Sequence, residues 1–295
     1  MNQFTLLDGG MGRELKRSGA PFRQPEWSAL ALIEAPDKVR QVHESFVAAG
    51  AEVITTNSYA LVPFHIGAER FAAEAEELAS RAGSLARLAA QSATNVRVAG
   101  SLPPLFGSYR PDLFDPEAAS ALLAPLVTGL APHVDLWLAE TLSACAEAEV
   151  VIAGLKGQDR PLWLSFTLED EAPDAAMNPR LRSGEPVAKA AQLALAGGAQ
   201  ALLFNCSQPE VMESALHAAA QAGAGTLTLG IYANAFPPQP KDAKANDTLH
   251  DLRPDLDPAG YLDWVRRWLD AGAGIVGGCC GIGPEHIAAI AGIKS

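Results

Sequence analysis

Eight short apolar runs recur along this chain, each followed by a longer segment with a helical apolar period. They cover residues 4–8, 52–56, 96–101, 135–140, 162–167, 201–205, 227–232 and 274–278. Short runs bounded by turn residues read as buried strands, and the segments between them as helices. The clearest helix spans residues 36–49, with Val39, Val42, Phe46 and Val47 on one face and Gly50 as its stop. Later helices open on Asp115-Pro116-Glu117, Ser207-Gln208-Pro209-Glu210, Asp257-Pro258 and Gly283-Pro284-Glu285. Proline sits well in a first helical turn, where its missing N–H is not needed. Helix stops are expected at Gly50, Gly157, Gly197, Gly223 and Gly272, just before the next strand. Eight strand–helix pairs in 295 residues are the arithmetic of an α/β protein built as a single (β/α)8 TIM barrel. The competing architecture, an open doubly wound sheet, usually uses fewer strands. No linker or composition shift divides the chain, so residues 1–295 read as one barrel domain, with the polar loop 237–257 over one face.

Composition narrows the partners. At 48% hydrophobic the chain can build a large core. Its 22 basic residues against 34 acidic ones, a formal net charge of −12, argue against nucleic acid and against anionic lipid. Four cysteines are too few for a disulfide scaffold, and no signal peptide or membrane-spanning run is visible. The expectation is a soluble, cytoplasmic monomer or small homo-oligomer acting on small molecules.

In such barrels the chemistry gathers where strands end. Here those ends carry Asp8-Gly9-Gly10-Met11-Gly12, Thr55-Thr56-Asn57-Ser58-Tyr59, Gly100-Ser101, Glu140-Thr141, Ser165 and Thr167, Asn205-Cys206-Ser207, Tyr232-Ala233-Asn234 and Gly277-Gly278-Cys279-Cys280-Gly281. Three cysteines thus fall on one rim. Three thiolates suit zinc with an open fourth position. Adjacent strand residues point to opposite faces, so Cys279 and Cys280 share an ion only if the backbone turns sharply, which the flanking glycines permit. Two other readings stay open on spacing alone: buried cysteines that merely pack, and a redox pair formed by Cys279 and Cys280. Cys145, early in the helix after the fourth strand, reads as structural.

The strand-end motifs, running in order from residue 7 to residue 281 and joined by Pro25-Glu26-Trp27-Ser28-Ala29, resemble the homocysteine S-methyltransferase family of zinc-dependent barrels. The Asn-Cys followed by Gly-Gly-Cys-Cys-Gly is the most specific element. The resemblance implies that Cys206, Cys279 and Cys280 bind zinc, and that Asp8 and Glu140 hold the amino group of homocysteine. It also implies that backbone N–H groups of Gly9-Gly10-Met11 face the substrate carboxylate. Successive amides in a tight turn make an anion nest, and two carboxylates suit an ammonium. Thr56 and Asn57 rank lower as substrate contacts. Asn234 matches a family position, and its side-chain oxygen is a candidate for the fourth zinc position before homocysteine arrives.

On this resemblance the homocysteine thiol loses its proton on zinc and takes a methyl group in line from an activated donor, giving methionine. The donor expected is S-methylmethionine, because the chain has no long extension after its eighth helix and no folate or cobalamin domains. Aromatic faces tolerate a sulfonium; Trp27 and Tyr59, with Phe64 and Phe106, are the rim candidates. The segment between Leu105 and Asp115 and the Tyr-Ala-Asn-Ala-Phe of strand seven depart from the family pattern where a donor would bind. The alternatives are a betaine- or S-adenosylmethionine-dependent thiol methyltransferase of the same fold, and a non-catalytic zinc- or thiol-binding barrel. The last would have no need of Asp8 and Glu140.

Overall fold

The structure, a computed structural model, describes residues 3–239 and 251–294. Eight strands form one parallel sheet: β1 Thr5–Leu6, β2 Val53–Thr55, β3 Arg97–Leu102, β4 Leu136–Leu142, β5 Leu162–Phe166, β6 Ala201–Asn205, β7 Thr228–Tyr232 and β8 Ile275–Val276. Their order is β1-β8-β7-β6-β5-β4-β3-β2. The remaining seam, between β1 and β2, closes through a parallel bridge of Leu7 with Val53 and bonds from Glu52 N to Leu6 O (2.8 Å) and Asp8 N to Val53 O (3.0 Å). The fold is therefore a (β/α)8 barrel. All eight expected strands form, but β1 and β8 hold only two ladder residues each, because the glycine turns that follow them leave the ladder early.

Side-chain parity divides the core. Leu7, Val53, Ala99, Leu136 and Leu138, Trp163, Ala201 and Leu203, Tyr232 and Ile275 make one cluster drawn from all eight strand segments, which is the barrel interior. Their neighbours Leu6, Ile54, Val98, Trp137, Leu164, Phe204 and Val276 belong to the other cluster, under the helices. A parallel strand buried on both faces needs such continuous apolar runs. The helix Pro36–Ala48 buries Val39, Val42, Phe46 and Val47, as its period requires. Truncating a fully buried ring such as Phe46 costs about 3–5 kcal/mol.

The punctuation works as the sequence implies, with one shift. Asp115 caps the helix Pro116–Leu130 by accepting the N–H groups of Glu117 (3.0 Å) and Ala118 (3.3 Å), and Asp257 caps Pro258–Asp270 through Gly260 N (2.8 Å). Gly50, Gly157, Gly223 and Gly272 take left-handed φ values, whereas Gly197 stays helical and the left-handed step falls on Gly198. Of the loop expected at 237–257, positions 240–250 lie outside the described residues. No helix among the described residues is long and apolar enough to cross a membrane.

Candidate active site

The carboxyl ends of the strands enclose one cavity lined by Asp8 to Arg13, Trp27 and Ser28, Thr55 to Asn57, Tyr59, Tyr109, Glu140 and Thr141, Cys206, Tyr232 and Gly278 to Cys280. Five non-glycine residues among those described have left-handed backbone, and four of them, Trp27, Tyr109, Thr141 and Cys206, line this cavity. Such conformations persist only where surrounding structure enforces them, and they concentrate at functional sites.

The enforcement is visible at β4. Its register shifts between Ala139 and Leu142. There Thr141, at φ 60°, donates its N–H to Asn205 Oδ1 (3.0 Å) and receives Asn205 Nδ2 on its hydroxyl (2.8 Å). Ser165 Oγ also donates to Asn205 Oδ1 (2.8 Å). This irregularity re-aims the preceding side chain, and that side chain is Glu140. Its Oε1 accepts from Ser101 Oγ (2.5 Å) and its Oε2 from Tyr232 OH (3.3 Å). Opposite it, Asp8 accepts the N–H of Thr55 (2.7 Å) and the Thr55 hydroxyl (3.0 Å). Burial pushes both carboxyls up to about 7, against the hydrogen bonds that hold them down; Glu140 adds to the rise at Asp8, and the Cys206 thiol to that at Glu140.

The three cysteines converge. Cys206 follows β6 at φ 54°, and its sulfur lies 2.9 Å from Cys279 Sγ. All three sulfurs lie within 4.8 Å of one another. The turn that puts Cys279 and Cys280 on one side is pinned by Cys279 N to Ala233 O (2.9 Å), Ala235 N to Cys280 O (2.9 Å) and Ile282 N to Cys279 O (3.1 Å), with Gly281 at φ 88°. Buried Tyr261 fastens its base by donating to Gly277 O (2.8 Å) and Ala233 O (3.1 Å). Hydrogen bonds from Cys206 and Cys279 draw the Cys280 thiol well below its ordinary value, whereas the same contacts and burial raise Cys279. A tetrahedral zinc with bonds of about 2.3 Å separates its sulfurs by about 3.8 Å, so the cluster fits one soft cation after a small opening of the Cys206–Cys279 contact. Cys145 is not part of it: burial and the Glu185 carboxylate push that thiol up to about 12.

Other expected residues divide. Gly9 and Gly10 line the cavity, but Gly10 does not offer its N–H to a ligand; it donates to Ile282 O (2.9 Å). What the position needs is space. A Cβ on Gly10 would lie 2.6 Å from Cys279 O and 3.0 Å from Cys280 Cα, although φ −75° and ψ 101° are open to alanine. Gly10→Ala therefore displaces the Cys279–Cys280 segment. It should lower methyl transfer at least ~100-fold with the circular dichroism unchanged. Thr56 spends its hydroxyl on Ser58 Oγ (2.9 Å) and Ser101 N (2.9 Å), and Asn57 donates to Ser28 O (3.1 Å), so both form wall. Asn234 is fully buried beside the cysteine segments. Its N–H donates to Ser207 O (3.1 Å) and its Oδ1 accepts from Phe236 N (3.2 Å), while its Nδ2 has no partner among the described residues.

Trp27 and Tyr59 line the cavity, with Trp27 edge-on to Phe22 at 4.6 Å and Tyr59 OH 2.5 Å from Ser108 Oγ. Phe64 and Phe106 do not. Phe64 is 41% exposed, and Phe106 packs edge-on against Phe114 at 5.8 Å. Their places in the wall belong to Tyr109 and Tyr232. Thr55, Ser101 and Asn205 stand among the strand-end residues of the sequence, but their roles, as hydrogen-bond partners of Asp8 and Glu140 and as the clamp on Thr141, carry no local signal.

The chain matches the family model described as homocysteine S-methyltransferase over residues 5–293. It is 32% identical to a homocysteine S-methyltransferase of Escherichia coli (strain K12), over 97% of this chain and 93% of that one. It is 25% identical to a selenocysteine Se-methyltransferase of Brassica oleracea var. italica, over 97% and 88%. Among solved structures, the metallated form of the homocysteine methyltransferase MmuM from Escherichia coli superposes with a TM-score of 0.80 at 30% identity, covering 99% of this chain and 96% of that one. The chain is a methyltransferase and belongs to the homocysteine S-methyltransferase family.

Proposed function

We propose that this enzyme is zinc-dependent and moves a methyl group from S-methylmethionine to homocysteine, giving two molecules of methionine. The observation that carries the reading is the meeting, in one cavity, of three sulfurs within 4.8 Å and two buried carboxyls. Cys206, Cys279 and Cys280 would hold the ion, since three thiolates select a soft cation. Zinc bound there would deprotonate a coordinating thiol. Asp8 and Glu140 take the substrate ammonium and so fix the direction from which its sulfur approaches. Asn234 is proposed as the resting fourth ligand, its amide giving up the bond to Phe236 N–H. Trp27 and Tyr59 face the donor sulfonium, with Thr56 and Asn57 as wall. In the transfer the donor S–CH3 bond breaks, its electron pair stays on the donor sulfur, and the homocysteine thiolate forms the new S–CH3 bond. One barrel carries all of these parts, and no second macromolecule is invoked.

The donor is tested by supplying reduced, zinc-loaded protein with homocysteine and, separately, S-methylmethionine, betaine, S-adenosylmethionine or methyltetrahydrofolate, and measuring methionine. Turnover with S-methylmethionine is expected; turnover with another donor alone would overturn that assignment.

The two carboxyls predict a pH dependence that the thiol does not confuse. Methionine has no titrating sulfur, and its ammonium stays charged at pH 8. Below about 7, Asp8 and Glu140 take up protons and lose the charge that holds an ammonium. Methionine affinity measured by calorimetry should fall from pH 8 to pH 6, roughly ten-fold for each carboxylate that must be ionised. The ligand-free protein should show the opposite trend in stability. A folded-state pKa raised from 3.8 or 4.5 means that the unfolded chain ionises first, so stability falls as pH rises towards about 7.

A further inference from the structure

Outside the cavity, a buried ion pair sits against its wall. Arg182 and Asp170 approach to 3.0 Å with side chains 4% and 0% exposed. The Arg182 guanidinium lies 4.5 Å from the centre of the Tyr109 ring, its Nη1 donates to Gln239 O (2.9 Å), and its Nε reaches Thr167 Oγ1 (3.4 Å). Two of the side chains it touches, Tyr109 and Thr167, converge on one atom. Tyr109 OH donates to Cys206 O (3.4 Å), and Thr167 Oγ1 donates to the same oxygen (3.3 Å). Cys206 is the cysteine held in left-handed backbone.

We propose that Arg182 is a positioning residue for the metal ligand Cys206. It stacks on one hydroxyl-bearing side chain and bonds the other, and the two hydroxyls together hold the carbonyl of a residue whose conformation is unfavourable by itself. Asp170 keeps the guanidinium in place, since it also accepts the N–H of Gln239 (3.1 Å). Arginine is required because only a planar guanidinium stacks and donates at once. The inference rests on the proposed zinc role of Cys206 and adds a residue that touches neither zinc nor substrate.

The test is zinc affinity, read by equilibrium competition with a chromophoric chelator on reduced full-length protein. Arg182→Gln should weaken zinc binding about 10–100-fold, the usual effect of losing an outer partner of a ligand. Tyr109→Phe, which deletes one hydroxyl and leaves the ion pair intact, should weaken it in the same direction but less. Arg182→Lys should fall between Arg182→Gln and the parent. Breaking a buried pair also lowers stability, so Leu123→Ala in the helix Pro116–Leu130 provides a variant destabilised away from the site. It should melt earlier and hold zinc as the parent does. Parent-like zinc affinity in both Arg182→Gln and Tyr109→Phe would overturn the proposal. So would an equal loss in Leu123→Ala, which would reduce the effect to general destabilisation. A parent protein that takes up no zinc would overturn the zinc reading itself and this inference with it.

Discussion

Cys206→Ser is expected to lose bound metal and methyl transfer together. After gel filtration its zinc content should fall from one ion per chain to below roughly a tenth, because a serine hydroxyl does not replace a thiolate on a soft ion. Activity should fall to below roughly a thousandth, since preparing a thiolate nucleophile at neutral pH is a contribution of several kcal/mol. The fold should survive. The Cys279–Cys280 turn is held by backbone bonds to Ala233 and Ala235 and by Tyr261, none of which involves the Cys206 sulfur. Zinc by elemental analysis, circular dichroism and methionine formation on one preparation decide the matter. Full activity without zinc would contradict the account.

Glu140→Gln is expected to separate binding from metal. The partners of this carboxylate are two hydroxyls, on Ser101 and Tyr232, and a hydroxyl can either donate or accept, so an amide fits among them. The glutamine variant should therefore keep its fold and its zinc. What it lacks is the charge paired with the substrate ammonium. A charge-assisted bond in a buried site is worth about 1.5–3 kcal/mol, so KM for homocysteine should rise roughly 10–100-fold, with KM for the methyl donor little changed. An unchanged homocysteine KM would remove Glu140 from ammonium recognition.

The barrel was legible because period and punctuation agreed. Asp115-Pro116 and Asp257-Pro258 are helix starts for reasons local to four residues, and both cap as expected. The eight apolar runs are buried on both faces and so needed no alternation to declare them. The cysteine cluster was legible because strand ends in a barrel share one rim, which turns Cys206 and Cys279-Cys280, 73 positions apart, into neighbours at 2.9 Å. What stayed hidden depends on tertiary context. Nothing local says that Thr141 and Cys206 adopt left-handed backbone, since neither residue type prefers it; Asn205, the last residue of β6, imposes it at Thr141. The resemblance implies that N–H groups of Gly9-Gly10-Met11 face the substrate carboxylate, but Gly10 spends its own on Ile282 O and serves by lacking a Cβ against Cys279, a contact set by the packing of the β1 and β8 turns. Phe64 and Phe106 are donor-pocket candidates by their place in rim loops, but there only packing decides which aromatic turns inward, and neither lines the cavity.

The central claim is that three cysteines hold one zinc and leave a place for the substrate sulfur. X-ray absorption at the zinc edge, on reduced protein with and without homocysteine, measures that directly. The account predicts one zinc per chain with three sulfur neighbours at about 2.3 Å, rising to four when homocysteine is added. Zinc bound without sulfur, or a sulfur count that homocysteine leaves unchanged, would contradict it.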